Sequence, residues 1–248
     1  MIVYGIDVGG SGIKGAPVDV STGTLIDERR RIPTPRPAAP EPVIDTIAQL
    51  VEEAGWSGPV GVALPAVVQD GMVRTAANID RSWIGVDARS QLVERLGLPV
   101  HVINDADAAG LAEATFGAAQ AVGGMVLVLT FGTGIGSGMV FDGTLVPNTE
   151  LGHVEFRGME AERYAAARLV EEEDMNLEWW ASRVGEYLRY LERIFWPRLF
   201  VFGGGISKRF ETIAAIIETS TPVVPAHFRN RAGIVGAACA AAGEATEA

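Results

Sequence analysis

Residues 104–109, Asn-Asp-Ala-Asp-Ala-Ala, place two carboxylates where an apolar run at 100–103 gives way to an alanine-rich segment ending near Phe116. Strand followed by helix is the expected local structure, and one acid suffices to cap the helix N-terminus. The other is spare, at the kind of strand end where open α/β sheets carry out their chemistry. Either Asp105 or Asp107 suits the cap; we assign Asp107 to it and leave Asp105 for chemistry. The second chemical signal is glycine. The stretch Tyr4-Gly5-Ile6-Asp7-Val8-Gly9-Gly10-Ser11-Gly12-Ile13-Lys14-Gly15 reads as strand, bare turn, strand. A hairpin tip without side chains lets a bulky anion approach its amide N–H groups, and Ser11 and Lys14 add donors and a positive charge. Asp7, expected at its strand's end, is placed to hold a metal-bound water beside such an anion.

The device recurs. Residues 130–142 read Thr-Phe-Gly-Thr-Gly-Ile-Gly-Ser-Gly-Met-Val-Phe-Asp, again after an apolar run. Laying Asp7 on Thr130 puts Gly9 on Gly132, Gly15 on Gly138 and Asp19 on Asp142. Two copies about half the chain apart suggest two related domains, each offering an anion-binding hairpin to a shared cleft. A dinucleotide-binding reading of Gly132-Thr133-Gly134 fails, because a strand follows the glycines where a helix should begin. A third cluster, Gly203-Gly204-Gly205-Ile206-Ser207-Lys208, lacks the spacing of a P-loop. Of the 20 basic residues only Lys14 and Lys208 are lysines, and both stand at a glycine cluster, as point-charge phosphate contacts would.

Two further groups suit hydroxylated ligands. Glu150-Leu151-Gly152-His153-Val154-Glu155 sets one of three histidines between acids. It reads either as a metal site or as a set of hydroxyl acceptors, and no nearby cysteine completes a zinc centre. Asn78, in the polar loop before Trp83, either binds a hydroxyl or satisfies its own turn.

The elements that must position these groups follow from periodicity and punctuation. Beyond the two hairpins, strands are expected at 25–32, 60–64, 72–75, 100–103 and 199–202. Helices are expected at 43–54, 86–96, 161–174, 177–195, 210–217 and 232–242, with fraying from Gly243 onward. In the helix at 177–195, Trp180, Val184, Tyr187, Leu191 and Ile194 fall on one stripe.

The 248 residues, 48% hydrophobic and 21% charged, are enough for one large domain or two small ones around a substantial core. A net charge of −11 argues against general nucleic-acid binding. No apolar run approaches the ~20 residues that span a bilayer, so no membrane partner is expected. Cys239 is the single cysteine, which excludes an internal disulfide and suits a reducing cytoplasm. Met1 leads straight into a strand, so neither a leader nor a preceding DNA-binding module is expected.

Taken together, these residues resemble the ROK sugar kinases of the actin/hexokinase/Hsp70 superfamily. Within them the chain looks most like the actinobacterial polyphosphate glucokinases and the related glucomannokinase. The motifs that carry the resemblance are 7–15, 78–85, 104–109, 150–153 and 203–209, in the family's order and spacing. The resemblance implies an α/β fold of duplicated, ribonuclease H-like domains flanking a cleft. Residues 1–106 with a C-terminal helix at about 233–248 would form the small lobe, and 107–232 the larger one. It implies that Asp105 is the general base toward the 6-hydroxyl of glucose, with Asn78, Asn104, Glu150, His153 and Glu162 holding other hydroxyls. Around the phosphates it implies Asp7, Gly9, Gly10, Ser11 and Lys14, then Thr130, Gly132, Thr133 and Gly134, then Gly204, Gly205 and Lys208. The phosphoryl donor implied is polyphosphate, with ATP as a second candidate, Mg2+ as cofactor, and a homodimer using 177–196. The runner-up is an ATP-dependent ROK kinase for mannose or an amino sugar.

An acidic protein that accepts a polyanion needs a local basic track. Candidates are Lys14, Arg29-Arg30-Arg31, Lys208-Arg209, Arg229 and Arg231, although the arginine run equally reads as a solvated strand edge. Three features depart from the family pattern. No cysteine-rich motif follows His153, so no structural zinc is expected. Ala66 stands where relatives usually have glycine, and so do Asn148 and Thr149. A ROK repressor would carry a DNA-binding module, and a sugar sensor would lack the base.

Overall fold

The computed structural model describes residues 1–77 and 79–247, with side chains through Gly243. The chain divides into two compact units, Met1–Ala112 with Arg231–Ala248, and Glu113–Asn230.

In the first unit, β1 (Ile2–Gly9) and β2 (Gly12–Asp19) form the glycine hairpin. The expected third strand is two short ones, β3 (Thr24–Leu25) and β4 (Arg30–Ile32), both paired with β2. The exposed charged segment between them holds no ladder. Helix α1 (Pro40–Glu53) starts three residues before its expected position, because Pro40 itself takes the first helical turn. Strand β5 (Val60–Leu64) is buried throughout, and β6 (Val68–Gln69) turns through Asp70-Gly71, both at positive φ, into β7 (Met72–Val73). Helix α2 (Ala88–Leu96) is capped by Asp87, whose Oδ1 accepts the Ser90 N–H at 2.9 Å, and closed by Gly97. Strand β8 (Val100–Asn104) runs into α3 (Asp105–Phe116). The sheet order is β3-β2-β1-β5-β8, with β1, β5 and β8 parallel. Its core gathers Ile6, Ile13, Ile47, Leu50, Val62 and Trp83, and the Trp83 indole N–H ties the loop around it to the Ala38 carbonyl at 2.9 Å.

The second unit repeats the plan. Strands β9 (Met125–Phe131) and β10 (Ile135–Phe141) form a hairpin, followed by β11 (Thr144–Val146). A small hairpin, β12 (Glu155–Phe156) and β13 (Met159–Glu160), precedes α4 (Ala161–Ala165) and α5 (Leu169–Glu172). The single helix expected at 161–174 is thus broken in two. The Trp180 indole N–H accounts for the break, because it donates to the carbonyls of Ala165 and Ala166 at 3.1 and 3.0 Å. Helix α6 (Leu177–Phe195) buries Trp180, Val184, Tyr187 and Leu191, whereas Ile194 is half exposed. Strand β14 (Leu199–Gly203) leads through a 3-10 turn into α7 (Phe210–Ala214), shorter than expected, and then β15 (Val223–Pro225). The sheet order is β11-β10-β9-β14-β15, with β9, β14 and β15 parallel. Each sheet therefore sets a glycine hairpin beside two parallel strands in the same sequence of neighbours.

The last helix, α8 (Ala232–Glu247), belongs to the first unit and continues past Gly243, where fraying was expected. It fits because β1 and β5 present glycines to it. A Cβ on Gly5 would stand 2.0 Å from the Ile234 carbonyl oxygen, and one on Gly61 1.9 Å from that of Ala237. Among the described residues no helix is long and apolar enough to cross a membrane.

Candidate active site

In the first unit the chemistry gathers at the carboxyl edge of the parallel strands. Asp7, Ala63 and Ile103 sit side by side across β1, β5 and β8, and Asp105 lies two residues beyond Ile103. Asn104 ends β8, and its Oδ1 accepts the N–H groups of Ala106 and Asp107, both at 2.9 Å. Asn104 is therefore the cap of α3. The expected cap, Asp107, is already the third helical residue and is buried in the first turn, so it lacks the extended backbone a cap needs. The Asn104 Nδ2 donates to the Ala66 carbonyl at 3.0 Å. Among the described residues these bonds occupy both oxygen lone pairs and one amide hydrogen, which leaves Asn104 a single N–H to offer a hydroxyl. Asp105 is half-buried at the first helical position, with Oδ1 accepting the Ala106 N–H at 2.8 Å. Asn78 lies outside the described residues.

The first glycine hairpin pairs Asp7 with Lys14 and Gly9 with Gly12, which leaves Gly10 and Ser11 as an exposed tip. Asp7 lies inside β1 rather than at its end, and its Oδ2 accepts from the Lys14 ammonium at 3.2 Å. The carbonyls of the tip are held from outside. Thr34 Oγ1 donates to the Gly9 carbonyl and the Arg31 guanidinium to that of Ser11.

In the second unit, Phe131 pairs with Ile135, so the tip is Gly132-Thr133-Gly134. Thr130 faces Gly136 where Asp7 faces Lys14, so the connection between the paired strands is one residue shorter than in the first hairpin. In register, Gly15 falls on Ser137 and Asp19 on Phe141, not on Gly138 and Asp142. The third cluster lies beside this hairpin, with Gly203 paired to Thr130. Gly204 has φ +88°, and a Cβ there would stand 2.1 Å from the Phe131 carbonyl oxygen, so only glycine serves. Lys208 and Arg209 are exposed on the turn that follows. Gly10, Gly132 and Gly205 contrast with Gly204. Their φ values are not positive, and no atom among the described residues lies within 4 Å of where a Cβ would stand.

Glu150, His153 and Glu162 come together in the same unit. Glu150 precedes a 3-10 turn, Leu151–His153, strapped down from three sides. The Leu151 N–H donates to Ser137 Oγ at 2.9 Å, and the Tyr187 hydroxyl to the Leu151 carbonyl at 2.9 Å. A Cβ on Gly152 would stand 2.2 Å from the Ile135 carbonyl oxygen, which brings the turn hard against β10. His153 Nε2 lies 3.7 Å from Glu150 Oε2 and its Nδ1 3.4 Å from Glu160 Oε1. The second acid beside the imidazole is Glu160, not the nearer-in-sequence Glu155, because the β12–β13 hairpin folds Glu160 back. Glu162 Oε2 accepts the Ile135 N–H at 3.3 Å. Burial raises the Glu150 pKa above the usual carboxylate range, a shift that His153 opposes and Glu162 reinforces. His153, Glu160 and Glu162 each offer one ligand atom, all within 4.8 Å of one another. Both sequence alternatives, hydroxyl acceptors and metal ligands, are open to this donor set.

The departures at 148 and 149 have local explanations. Asn148 takes φ +58°, a conformation asparagine tolerates better than most residues, and Thr149 Oγ1 donates to the Ser137 carbonyl at 3.1 Å. Sequence reasoning missed Arg168, which stands in the break between α4 and α5. Its backbone N–H donates to the Gly132 carbonyl at 3.1 Å and its guanidinium to that of Thr133. It falls within the single helix expected at 161–174, which gave it no link to the glycine turn.

The ROK family profile matches residues 3–166. A polyphosphate glucokinase of Mycobacterium tuberculosis is 52% identical over 244 residues, 98% of this chain and 92% of its own. The solved inorganic polyphosphate/ATP-glucomannokinase from Arthrobacter sp. strain KM superposes with a TM-score of 0.95 at 48% identity, covering 98% of this chain and 99% of its own. A ROK family glucokinase from Streptomyces griseus, solved with glucose and AMPPNP, superposes with a TM-score of 0.84 at 25% identity, over 98% and 100% of the two chains.

Proposed function

The chain belongs to the ROK family and has its actin/hexokinase-like fold, and on that basis we propose that it transfers a phosphoryl group from inorganic polyphosphate to the 6-hydroxyl of glucose. One observation carries the reading beyond family membership. Each of the three glycine clusters contains a glycine, Gly10, Gly132 or Gly205, that neither backbone conformation nor packing among the described residues demands. Bare backbone kept where the fold has no use for it suits the close approach of phosphate oxygens to amide N–H groups.

Asp105 accepts the proton of the 6-hydroxyl as that oxygen attacks the terminal phosphorus, and a polyphosphate shorter by one phosphate leaves. Phosphoryl transfer asks the protein chiefly for positioning and charge neutralisation. Glu150, His153 and Glu162 accept from the remaining hydroxyls, and Asn104 donates its last N–H. Among the phosphate ligands, Lys14 pairs with Asp7; Arg29 and Arg30 are exposed in the first unit and Lys208 and Arg209 in the second, and these are the basic side chains proposed for the polyanion. Mg2+ is the expected metal, and Asp7 fits it: its carboxylate is a hard oxygen ligand anchored by Lys14 beside the first glycine tip. When bound, the ion would neutralise donor charge, and Asp7 would help to hold it.

ATP is a second donor in this reading, which the Arthrobacter enzyme's polyphosphate/ATP use supports. Two copies of the chain pair through α6, where Trp179 and Trp196 are 57% and 79% exposed. Light scattering that finds a monomer at micromolar concentration would overturn the pairing. The single cysteine suits a reducing cytoplasm. A coupled assay over glucose, mannose and amino sugars, each with polyphosphate and with ATP, tests substrate and donor together. The expected result is highest kcat/KM with glucose and polyphosphate; activity confined to ATP and another hexose would establish the alternative kinase.

A further inference from the structure

Arg168 holds the second glycine turn by its carbonyls, twice. Its own N–H takes the Gly132 oxygen, and its guanidinium takes the Thr133 oxygen. In a trans peptide the C=O and the following N–H lie in one plane and point in opposite directions. Fixing those two carbonyls on the Arg168 side therefore turns the N–H groups of Thr133 and Gly134 to the other side, together. The Gly132 N–H is spent within the turn, on the Gly134 carbonyl at 3.0 Å. Arg168 is itself held, with Nε 3.6 Å from Glu172 Oε2 and its backbone released by the α4–α5 break.

The first unit solves the same problem with different residues. Thr34 takes the Gly9 carbonyl and Arg31 that of Ser11, which turns the Gly10 N–H away from Thr34, while Gly12 faces Gly9 in the closing pair of the ladder. Two hairpins of related plan thus have carbonyls at the tip tied by groups from outside the hairpin, an arginine in each.

We infer that Arg168 is a positioning residue for the phosphoryl donor, acting by presenting the Thr133 and Gly134 N–H groups rather than by its charge. The inference rests on the reading of this turn as a donor cradle. Arg168→Gln keeps a donor for the Thr133 carbonyl without charge, Arg168→Lys keeps charge with a different reach, and Arg168→Met keeps neither. Steady-state kinetics with polyphosphate and with ATP at saturating glucose, glucose binding by calorimetry, and the salt dependence of donor KM are read for each.

The expected result is a donor KM about tenfold higher in Arg168→Met, restored to within about threefold in Arg168→Gln, with glucose affinity and salt slope as in the parent. A parental donor KM in Arg168→Met overturns the inference. So does rescue by lysine but not glutamine with a flattened salt slope, which would make Arg168 a direct charge contact. Should the methionine variant fail to fold, the glutamine variant decides, since a tenfold donor KM there also overturns the inference. Gly132→Ala tests the underlying reading separately, because a Cβ there meets no described atom. If it leaves donor KM unchanged, the turn is not the cradle; if it raises donor KM while Arg168→Met does not, only the role of Arg168 fails.

Discussion

The Asn104 side chain joins two structural tasks, donating to the Ala66 carbonyl at 3.0 Å while its oxygen caps α3 through the N–H groups of Ala106 and Asp107. The residue next to it is Asp105, so the direction in which that carboxylate leaves β8 depends on both bonds. Asn104→Ala removes a cap and a loop tie together. It should cost about 1–2 kcal/mol and lower Tm by a few degrees, with a fall in kcat larger than any rise in glucose KM. Thermal melts and glucose titrations check this. An unchanged melting curve would mean that the bonds are dispensable.

Tyr187 is buried, and its hydroxyl satisfies the Leu151 carbonyl at the turn that carries Glu150 and His153. Tyr187→Phe removes the shorter of two bonds to that carbonyl, which keeps only the Val154 N–H at 3.4 Å, at a cost of about 0.5–1.5 kcal/mol. The expected outcome is a lower Tm together with a raised glucose KM and an unchanged donor KM. A variant that melts early yet binds glucose normally would separate the strap from the sugar contacts.

Glu150 links stability to pH. Burial raises its pKa in the folded protein, so the folded state holds the proton more tightly than the unfolded chain does. Its contribution to stability is therefore present at low pH and lost as pH rises through the folded pKa. Glu150→Gln removes that loss. The variant should melt above the parent at about pH 8, with the difference shrinking toward about pH 4, while glucose affinity falls. Melting curves across this window, read beside calorimetric glucose binding, test it; a variant less stable than the parent at high pH contradicts it.

Adjacent glycines separate packing from ligand approach. At Gly204 an alanine would drive its Cβ to 2.1 Å from the Phe131 oxygen at φ +88°, so Gly204→Ala should destabilise by about 3 kcal/mol or more or fail to accumulate. At Gly205 no described atom stands within 4 Å of a Cβ, so Gly205→Ala should keep the parental Tm and raise donor KM. Equal effects of the two changes would contradict the distinction.

Both hairpins, the strand ending at Asn104 and the helix at Leu177–Phe195 were legible because each is written in local signals: bare turns, period-two runs and a helical stripe. Arg168 was not. The sequence at 161–174 has continuous helical character, and the break that frees Arg168 is made by the indole of Trp180, supplied by another helix. Glu113 was equally hidden. It lies fully buried at the end of α3 and accepts the N–H groups of Ala118 and Phe228 at 2.8 and 2.9 Å, the second of these 115 residues away. The cap of α3 was misassigned for a smaller reason: Asn104, Asp105 and Asp107 all have capping side chains, and only the position where the strand stops decides among them. The one-residue difference between the hairpins was invisible because glycines support either alignment: unshifted, Gly15 meets Gly138, and shifted by one, Gly12 meets Gly134.

The central claim is that Asp105 serves phosphoryl transfer from polyphosphate to glucose. The most direct measurement is formation of glucose 6-phosphate from glucose, polyphosphate and Mg2+ with no nucleotide present, run for the parent and for Asp105→Ala. The account predicts sustained product formation by the parent and a turnover lower by about 10²–10⁴ in the variant, with glucose binding largely kept. No product from polyphosphate of any chain length, or near-parental turnover in Asp105→Ala, would contradict it.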